Sequence, residues 1–320
     1  MRKILVTGAN GLVGKHLCAR LPTKDTNTLS RGNNAYGYLN YFQCEISPNQ
    51  VYHDALSECE VVIHCAARVH LMNEGKSAAI NLYRDTNVDG TINLAKQAIS
   101  AGVKRFIFIS SIKVLGESTR TGKPFFNLSN ISPCDAYGLS KAEAEIELLE
   151  LVKNTGLEVV IIRPTLVYGP GVKANFASLI NLVSKGIPLP FGCITQNKRS
   201  LVSVDNLVDL IITCIDHPKA ASQVFLVSDD HDVSTSEMVR EMAKALGKST
   251  WQLPIPIWCY KLAGKLFNKS DVVDRLTGSL QVDISHTKQT LGWKPPQTLQ
   301  EGFKQTAQAF LRSKNHSGKS

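Results

Sequence analysis

The sequence predicts an α/β fold, a doubly wound parallel sheet with a smaller interleaved α/β domain, and three observations support this fold class. Short, nearly continuous apolar runs alternate with longer segments of helical periodicity in the first half of the chain, as in strands buried on both faces. A glycine-rich turn follows the first of these runs. The 320 residues, 43% of them hydrophobic, suffice for one large domain and a second, smaller unit.

The predicted elements follow one another in the order that such a sheet requires. Apolar runs predict strands at residues 3–7, 61–65, 105–110 and 158–163, with a weaker strand near 27–30. Helical periodicity between these runs predicts helices at residues 11–21, 86–100 and 136–154. The alternation predicts right-handed crossovers that place helices on both faces of the sheet.

The chain changes character near residue 165. Beyond this point the elements become shorter and prolines interrupt them, while no Ser/Gly-rich linker separates the two parts. We therefore predict a first domain of residues 1–165, whose sheet edge is completed from residues 200–228 by a strand at 223–227. The second domain, residues 166–312, is interleaved with the first, and the polar residues 313–320 are predicted to fray.

Composition and motif content argue against several classes of protein. The net charge of +9 comes from scattered lysines and arginines, and no nucleic-acid-binding motif occurs, so no nucleic-acid partner is predicted. The eight cysteines form no CxxC pair and the histidines no HExxH motif, which predicts neither a metal site nor a disulfide framework. No apolar run approaches the roughly 18 residues of a membrane span, and no signal-peptide pattern occurs. A cytoplasmic protein without membrane insertion is expected.

The segment Gly8-Ala9-Asn10-Gly11-Leu12-Val13-Gly14 directly follows the first predicted strand and opens a helix. Gly8 permits a tight turn, Gly11 lets a pyrophosphate approach the backbone, and Gly14 lets the helix pack closely on the strand. The free N–H groups at the start of the helix favour an anion. We therefore predict a dinucleotide site that also includes Asn10, Leu12 and Val13.

The end of the second predicted strand indicates which dinucleotide binds. A carboxylate at this position would select the adenosine ribose of NAD, but the chain has Ser30 and Arg31 there. Because a guanidinium binds phosphate through two points, NADP(H) is favoured and NAD is the alternative. Glu45 and Ile46 are candidate contacts to the adenine. An ordinary turn at Arg31 and an exposed Glu45 are the alternative interpretations.

Tyr137 and Lys141 are four residues apart on a predicted helix and therefore share one of its faces. A phenol has an ordinary pKa of about 10 and needs a nearby cation to act as a base near neutrality, which Lys141 supplies. Ser111 follows the strand predicted at 105–110, so its hydroxyl is expected at the same crevice. An exposed Tyr–Lys pair and a turn serine are the alternative.

The order of these motifs resembles the extended short-chain dehydrogenase/reductases of the nucleotide-sugar epimerase/dehydratase type. The resemblance implies a Rossmann-type NAD(P)-binding domain, a homodimer and a catalytic trio of Ser111, Tyr137 and Lys141. It also implies further cofactor contacts, at Ala66, Ala67, Asn87 and Pro164. The matching segments are residues 7–14, 64–67, 87–91, 111–116, 137–141, 163–170, 283–288 and 291–293.

The same resemblance implies that the second domain binds a UDP-sugar. Arg199 lies seven residues before Asn206, where the family has a diphosphate-binding arginine, and Arg275 resembles a second one. Two arginines can chelate a diphosphate through charge-assisted hydrogen bonds. Asn175-Phe176 resembles the loop that holds the nucleotide. Each arginine is alternatively a plain surface charge.

Departures from the family pattern narrow the expected reaction. Ile112 and Lys113 stand where sugar dehydratases carry an Asp-Glu pair, so dehydration is not expected, and Leu166 replaces an asparagine of many epimerases. We expect a 4-keto reductase acting on a UDP-4-keto-6-deoxy-N-acetylhexosamine in surface-polysaccharide synthesis. The alternative is a UDP-glucose or UDP-N-acetylglucosamine 4-epimerase with bound NAD, and a remote one is a non-catalytic NADP-sensing module.

Overall fold

The computed structural model describes residues 2–69, 76–120 and 122–317. Seven parallel strands form one sheet in the order β3-β2-β1-β4-β5-β6-β9. From β1 the chain adds β2 and β3 on one side, and from β4 onward it adds strands on the other side, so the carboxyl ends of β1 and β4 lie side by side where the strand order reverses. Doubly wound sheets bind ligands at this point. The strands are β1 (Ile4–Thr7), β2 (Thr26–Ser30), β3 (Asn40–Gln43), β4 (Val61–His64), β5 (Arg105–Ile109), β6 (Glu158–Pro164) and β9 (Val224–Val227).

Helices cover both faces of this sheet. A π-helical turn, Asp85–Asp89, connects α3 directly to α4. The helices are α1 (Leu12–Cys18), α2 (His53–Leu56), α3 (Lys76–Arg84), α4 (Gly90–Ser100), α5 (Ala136–Val152), α6 (Ala174–Ser184), α7 (Val204–Asp216), α8 (Thr235–Ala245), α9 (Ile257–Leu266), α10 (Ser270–Thr277), α11 (Ser285–Leu291) and α12 (Leu299–Ser317).

Strand residues alternate between two hydrophobic cores, one on each face of the sheet. Val6 and Ile107 pack on one face with side chains of α1 and α7. Leu5 and Phe106 pack on the other face with side chains of α2, α4 and α5. Because both faces are covered, the strands read as continuous apolar runs, and this explains why the sequence predicted them well.

A second, three-stranded sheet has the order β10-β8-β7, in which β7 is Leu166–Tyr168, β8 is Arg199–Ser203 and β10 is Asp232–Val233. A third hydrophobic core lies against this small sheet and contains side chains of α6, α8 and α12. Tyr168 lies at the centre of this core, stacked on Phe176 with ring centroids 5.4 Å apart, and its hydroxyl donates to Asp229 Oδ2 over 2.7 Å.

The fold class is confirmed, and several boundaries differ from the prediction. Of residues 200–228, only β9 joins the large sheet, whereas β8 pairs with β7 and with β10 in the small one. Strands β3, β7, β8 and β10 were not predicted, because β10 has only two residues and the other three include exposed or polar positions where a continuous apolar run would be expected. Residues 313–317, which were predicted to fray, continue α12, while residues 318–320 lie outside the described part.

A buried ion pair connects β6 to α5 beneath the candidate site. Arg163 Nη2 lies 2.5 Å from Glu145 Oε2, and Arg163 Nε lies 3.0 Å from Glu145 Oε1. Both side chains are almost completely buried, and the Ser110 hydroxyl also donates to the carboxylate of Glu145. The pair fixes α5 against the carboxyl ends of β5 and β6.

Candidate active site

The glycine-rich turn passes directly over the carboxyl end of β4. Gly8 adopts a φ of +69°, and a Cβ there would lie 2.7 Å from the backbone N of Ala66. A Cβ on Gly14 would lie 2.2 Å from the carbonyl oxygen of Gly8. The backbone N–H of Gly11 donates to the same oxygen over 2.8 Å. Gly8 therefore makes the tight turn and Gly14 the close packing that the sequence predicted, and Leu12 and Val13 begin α1 beside them. The approach of a pyrophosphate to Gly11 stays a prediction.

Asn10 lies in this turn with half of its amide group satisfied. Its Nδ2 donates to the carbonyl oxygen of Asn33 over 2.9 Å, whereas Oδ1 is buried and has no partner among the described residues. Arg68 Nε, after β4, is likewise a buried group without a described partner. A buried acceptor without a partner costs free energy, and a ligand hydroxyl that donates to Asn10 Oδ1 would remove this cost. The glycine cradle and these two atoms fit a dinucleotide cofactor.

The predicted adenosine contacts lie at the ends of β2 and β3. Ser30 ends β2, and its carbonyl oxygen accepts from the hydroxyl of Tyr41 over 3.3 Å. Arg31 and Glu45 are exposed, which leaves both side chains accessible to a ligand. Ile46 is buried in the second core, with 5% of its surface exposed.

Asn87 connects the loop after β4 to the helix that carries the candidate tyrosine. Its Oδ1 accepts from the backbone N of Arg68 over 2.8 Å, and its Nδ2 donates to the hydroxyl of Ser140 over 3.0 Å. Ala66 and Ala67 are half-buried in the loop between these contacts. The backbone N of Ala66 donates to Thr7 Oγ1 over 3.3 Å. Asn87 therefore positions the loop, as well as lying at the predicted cofactor site.

The three candidate catalytic side chains converge from β5 and α5. Ser111 follows β5 and begins a short 3₁₀ turn, and its hydroxyl oxygen accepts from the backbone N of Lys113 over 3.2 Å. Burial raises the pKa of Tyr137, and the nearby hydroxyl of Ser111 opposes the shift. A phenol with a raised pKa stays protonated near neutrality unless a bound ligand or a nearby cation favours the phenolate.

Lys141 is buried one helical turn after Tyr137, with 1% of its surface exposed. Its Nζ lies 4.1 Å from the ring centroid of Phe108. Burial lowers the pKa of Lys141 to about 7, and the negative charge of Glu145 limits the shift. The ammonium form is thus marginal without a ligand, and a neighbouring phenolate or anionic ligand would favour it.

Lys141 should make the stability of the unliganded protein depend on pH. Its pKa is about 7 when folded and 10.5 when free, so the unfolded state binds more protons between these values. The free energy of unfolding therefore gains up to about 1.4 kcal/mol per pH unit as pH rises through this window. Lys141→Met removes this gain. We expect its stability advantage over the unsubstituted protein to be largest below pH 7 and to shrink toward pH 10.

Denaturant unfolding at several pH values measures this difference. Lys96→Met, at an exposed lysine of α4, is the matched control and should give a curve parallel to that of the unsubstituted protein. A parallel curve for Lys141→Met would contradict the lowered pKa.

A polar network fixes the start of α5. Asp135 caps the helix by accepting from the backbone N of Gly138 over 2.6 Å. Lys113 Nζ bridges Asp135 Oδ2, at 2.5 Å, and Glu117 Oε1, at 2.6 Å. Burial opposes the charge on Asp135, yet the hydrogen bond from Lys113 keeps the pKa of this carboxyl below its ordinary value. Sequence reasoning noted Lys113 only as a departure from the dehydratase pattern and did not find this capping role.

On the predicted substrate side, Arg199 and Arg275 are neighbours. Arg199 Nη1 donates to the backbone carbonyl of Arg275 over 2.8 Å, and burial lowers the pKa of Arg199. Arg275 is exposed at the end of α10.

Pro164 ends β6 and is buried. Phe176, predicted to lie in the loop that holds the nucleotide, lies in the first turn of α6 with 4% of its surface exposed, and its contact with a nucleotide stays a prediction. The side chain of Asn175 lies outside the described part.

Sequence reasoning missed three further side chains near the site, those of His64, Tyr38 and Tyr41. His64 is buried between Thr7 Oγ1, at 2.7 Å, and Thr91 Oγ1, at 2.9 Å, and burial lowers its pKa to about 3. Tyr38 donates to the carbonyl oxygen of Ala9 over 2.9 Å and stacks on Tyr41. Two tyrosines three residues apart were the available signal, but the short strand β3 had not been recognised.

An open cavity of about 510 Å³ lies beside the candidate site. It is lined by residues 115–118, which come soon after Ser111, and by part of the segment 125–134, which comes before Tyr137.

Among the described residues, no group of three or more His, Cys, Asp and Glu side chains could hold a metal ion. In the same part of the chain, no helix has both the length and the apolar character needed to cross a bilayer.

Comparison with known proteins gives matches over nearly the whole chain. The profile of the NAD dependent epimerase/dehydratase family matches residues 4–228. The protein of Vibrio cholerae named UDP-glucose 4-epimerase is 64% identical over 318 residues, which cover 98% of this chain and 97% of that protein. A 4-epimerase of Escherichia coli O157:H7 named for N-acetyl-alpha-D-glucosaminyl-diphospho-ditrans,octacis-undecaprenol is 28% identical, over 97% of this chain and 96% of its own length.

Solved structures show the same fold. The UDP-glucuronic acid 4-epimerase from Bacillus cereus in complex with NAD has a TM-score of 0.77 at 20% identity, covering 98% of this chain and 99% of that one. MoeE5 in complex with UDP-glucose and NAD has a TM-score of 0.75 at 23% identity, covering 97% and 99%. At these identities the structures establish the architecture alone.

Proposed function

The chain belongs to the NAD dependent epimerase/dehydratase family, and we propose that it is a UDP-sugar 4-epimerase that uses bound NAD. The observation that carries the proposal is 64% identity, over 98% of the chain, to a protein named UDP-glucose 4-epimerase. This was the alternative in the sequence analysis. The expected 4-keto reductase has less support, because the sequence argument for it depended mainly on Ser30 and Arg31.

The proposed acid–base chemistry belongs to Tyr137. As phenolate it takes the proton of the C4 hydroxyl, and as phenol it returns a proton after the ketone has presented its other face. Lys141 favours the phenolate, and Ser111 holds the oxygen on C4 through its hydroxyl. NAD, when bound, supplies the hydride acceptor and donor for C4.

Cofactor binding is assigned to the first domain. The backbone of Gly8, Gly11 and Gly14 accommodates the pyrophosphate, and Asn10 Oδ1 gains the hydrogen bond that it lacks. The further assignments of the sequence analysis stay predictions within this proposal, at Leu12, Val13, Ser30, Arg31, Glu45, Ile46, Ala66, Ala67, Asn87 and Pro164.

Substrate binding is assigned to the second domain, residues 166–312. Arg199 Nη1 contacts the backbone of Arg275, and the charge of Arg275 acts on Arg199, so the two guanidinium groups are assigned to one diphosphate, whose oxygens such groups bind in pairs. A homodimer is also part of the proposal. Its support is the apolar surface that α5 leaves exposed through Leu139, Ile146 and Leu149.

One observation keeps a reductase as the second candidate. No carboxylate ends β2, where Ser30 is followed by an exposed Arg31. A guanidinium at this position suits the 2′-phosphate of NADP, which a reductase would exchange at each turnover. The two candidates therefore differ in which cofactor binds and in whether it leaves.

Two assays with the purified protein separate these candidates. We expect UDP-glucose, without added cofactor, to give its C4 epimer, with NAD released on denaturation. We expect a UDP-4-keto-6-deoxy sugar with NADPH to leave the NADPH unconsumed. NADPH consumption without epimer formation would instead establish the reductase. Arg31→Ala should weaken the binding of NADPH far more than the binding of NAD, because only NADPH carries the 2′-phosphate.

A further inference from the structure

The hairpin formed by α9 and α10 has an apolar face that the proposed function does not use. Trp258, Leu262 and Leu266 recur at every fourth position and therefore share one side of α9. Their exposed fractions are 64%, 61% and 76%, and Phe267 at the end of the helix is 68% exposed. Scattered exposed apolar residues are ordinary, whereas an aligned row of large ones marks an interaction surface.

The opposite side of α9 already has its partners within the protein. Tyr260 packs against the third core, together with side chains of α6 and α8. A Cβ on Gly264 would lie 2.8 Å from Val273 Cγ2, so α9 and α10 are in close contact. The hairpin is therefore docked on its inner side, and the apolar row faces outward.

Lysines border this apolar row. Lys261 and Lys265 follow one side of α9 next to it, and Lys269 lies in the link to α10; all three are exposed. No acidic residue occurs between Glu241 and Asp271. An indole and aliphatic side chains with lysines along their border suit the boundary between acyl chains and phosphate headgroups, because lysine stems reach outward from an apolar layer to water.

We propose that this hairpin docks on an anionic phospholipid bilayer, with Trp258, Leu262 and Leu266 among the acyl chains and the three lysines at the headgroup phosphates. A second copy of the chain fits less well, because a two-fold contact through the same face would bring the lysine rows of both copies together. The ten residues of α9 span only about 15 Å, half of the hydrocarbon core, so the helix lies in the interface without crossing it.

Docking would bring the proposed diphosphate site close to the membrane surface. Arg275 is on α10, and its backbone accepts a hydrogen bond from Arg199. The inference itself stands on the surface of the hairpin and does not depend on which reaction the site carries out.

Cosedimentation with sucrose-loaded vesicles tests the proposal on the full chain. We expect binding to vesicles of phosphatidylcholine with one third phosphatidylglycerol, weakened by added salt, and little binding to phosphatidylcholine alone. Each lysine near an anionic surface contributes about fivefold to partitioning, so Lys261→Glu/Lys265→Glu/Lys269→Glu should weaken it at least tenfold. Leu262→Ser/Leu266→Ser should do the same. The tryptophan emission should shift to the blue with vesicles, less so in Trp258→Phe.

Matched controls change the same residue types elsewhere on the surface. Lys96→Glu/Lys219→Glu/Lys294→Glu makes the same change in net charge at exposed lysines, and Leu39→Ser/Leu311→Ser makes the same change at exposed leucines. Both controls should bind anionic vesicles like the unsubstituted protein. Equal binding to neutral vesicles, or equal losses in the controls, would overturn the proposal. A dimer that the hairpin substitutions dissociate would assign this face to a second copy instead.

Discussion

Tyr137→Phe is expected to lower kcat by roughly 10³-fold, because it removes the only proton-transferring atom of this side chain and leaves its ring in place. Epimerisation requires a base at the oxygen on C4 and then an acid at the same oxygen, and the proposal assigns both to this phenol. The ring contacts, including the edge-on contact with Tyr83, stay possible in the variant. Cofactor content and KM should therefore change much less than kcat.

Initial rates with UDP-glucose, together with the NAD released on denaturation, measure both quantities. Tyr83→Phe is the matched control, because it removes a phenolic hydroxyl whose hydrogen bond goes to the backbone carbonyl of Val69. It should lower the rate far less. Undiminished turnover in Tyr137→Phe would remove the assignment of this residue as the acid–base group while leaving the reaction itself established.

Arg163→Met is expected to destabilise the fold by about 3–5 kcal/mol, because it leaves the carboxylate of Glu145 buried without its cation. Glu145 has 1% of its surface exposed and accepts two N–H groups of Arg163 within 3.0 Å. Arg163→Met/Glu145→Leu removes both charges together. It should regain a large part of the loss, since apolar side chains of similar volume often replace a buried pair at little cost.

Equilibrium unfolding in denaturant measures these changes in the free energy of unfolding. Lys153→Met is the matched control, because it breaks a pair with Glu150 that is 2.5 Å long but lies at the surface. Its cost should stay below about 1 kcal/mol. If Arg163→Met cost no more than the control, the buried pair would not hold α5 against the sheet.

Strands that are buried on both faces were predicted well, and partly exposed or polar ones were not. The strands β1, β4, β5 and β6 appear within one residue or so of their predicted bounds, because both faces of each strand are buried. The first residues of the helix predicted at 86–100 form the π-helical turn Asp85–Asp89, and α3, whose mixed polar residues concealed it, comes before this turn. In α6, Phe176 stacks on Tyr168 in the third core, a contact between separate elements that no local sequence pattern encodes.

The sequence by itself determined the fold class, the glycine turn and the spacing of Tyr137 and Lys141, because local periodicity and fixed intervals along one helix encode them. Only the tertiary structure decided what surrounds these groups. The pairing of Arg163 with Glu145, the bridge from Lys113 to Asp135 and the lowered pKa of Lys141 all depend on residues from different elements, or on burial that several elements create together. The outward face of α9 was likewise decided by packing, since a row of apolar residues reads the same whether it faces a core or solvent.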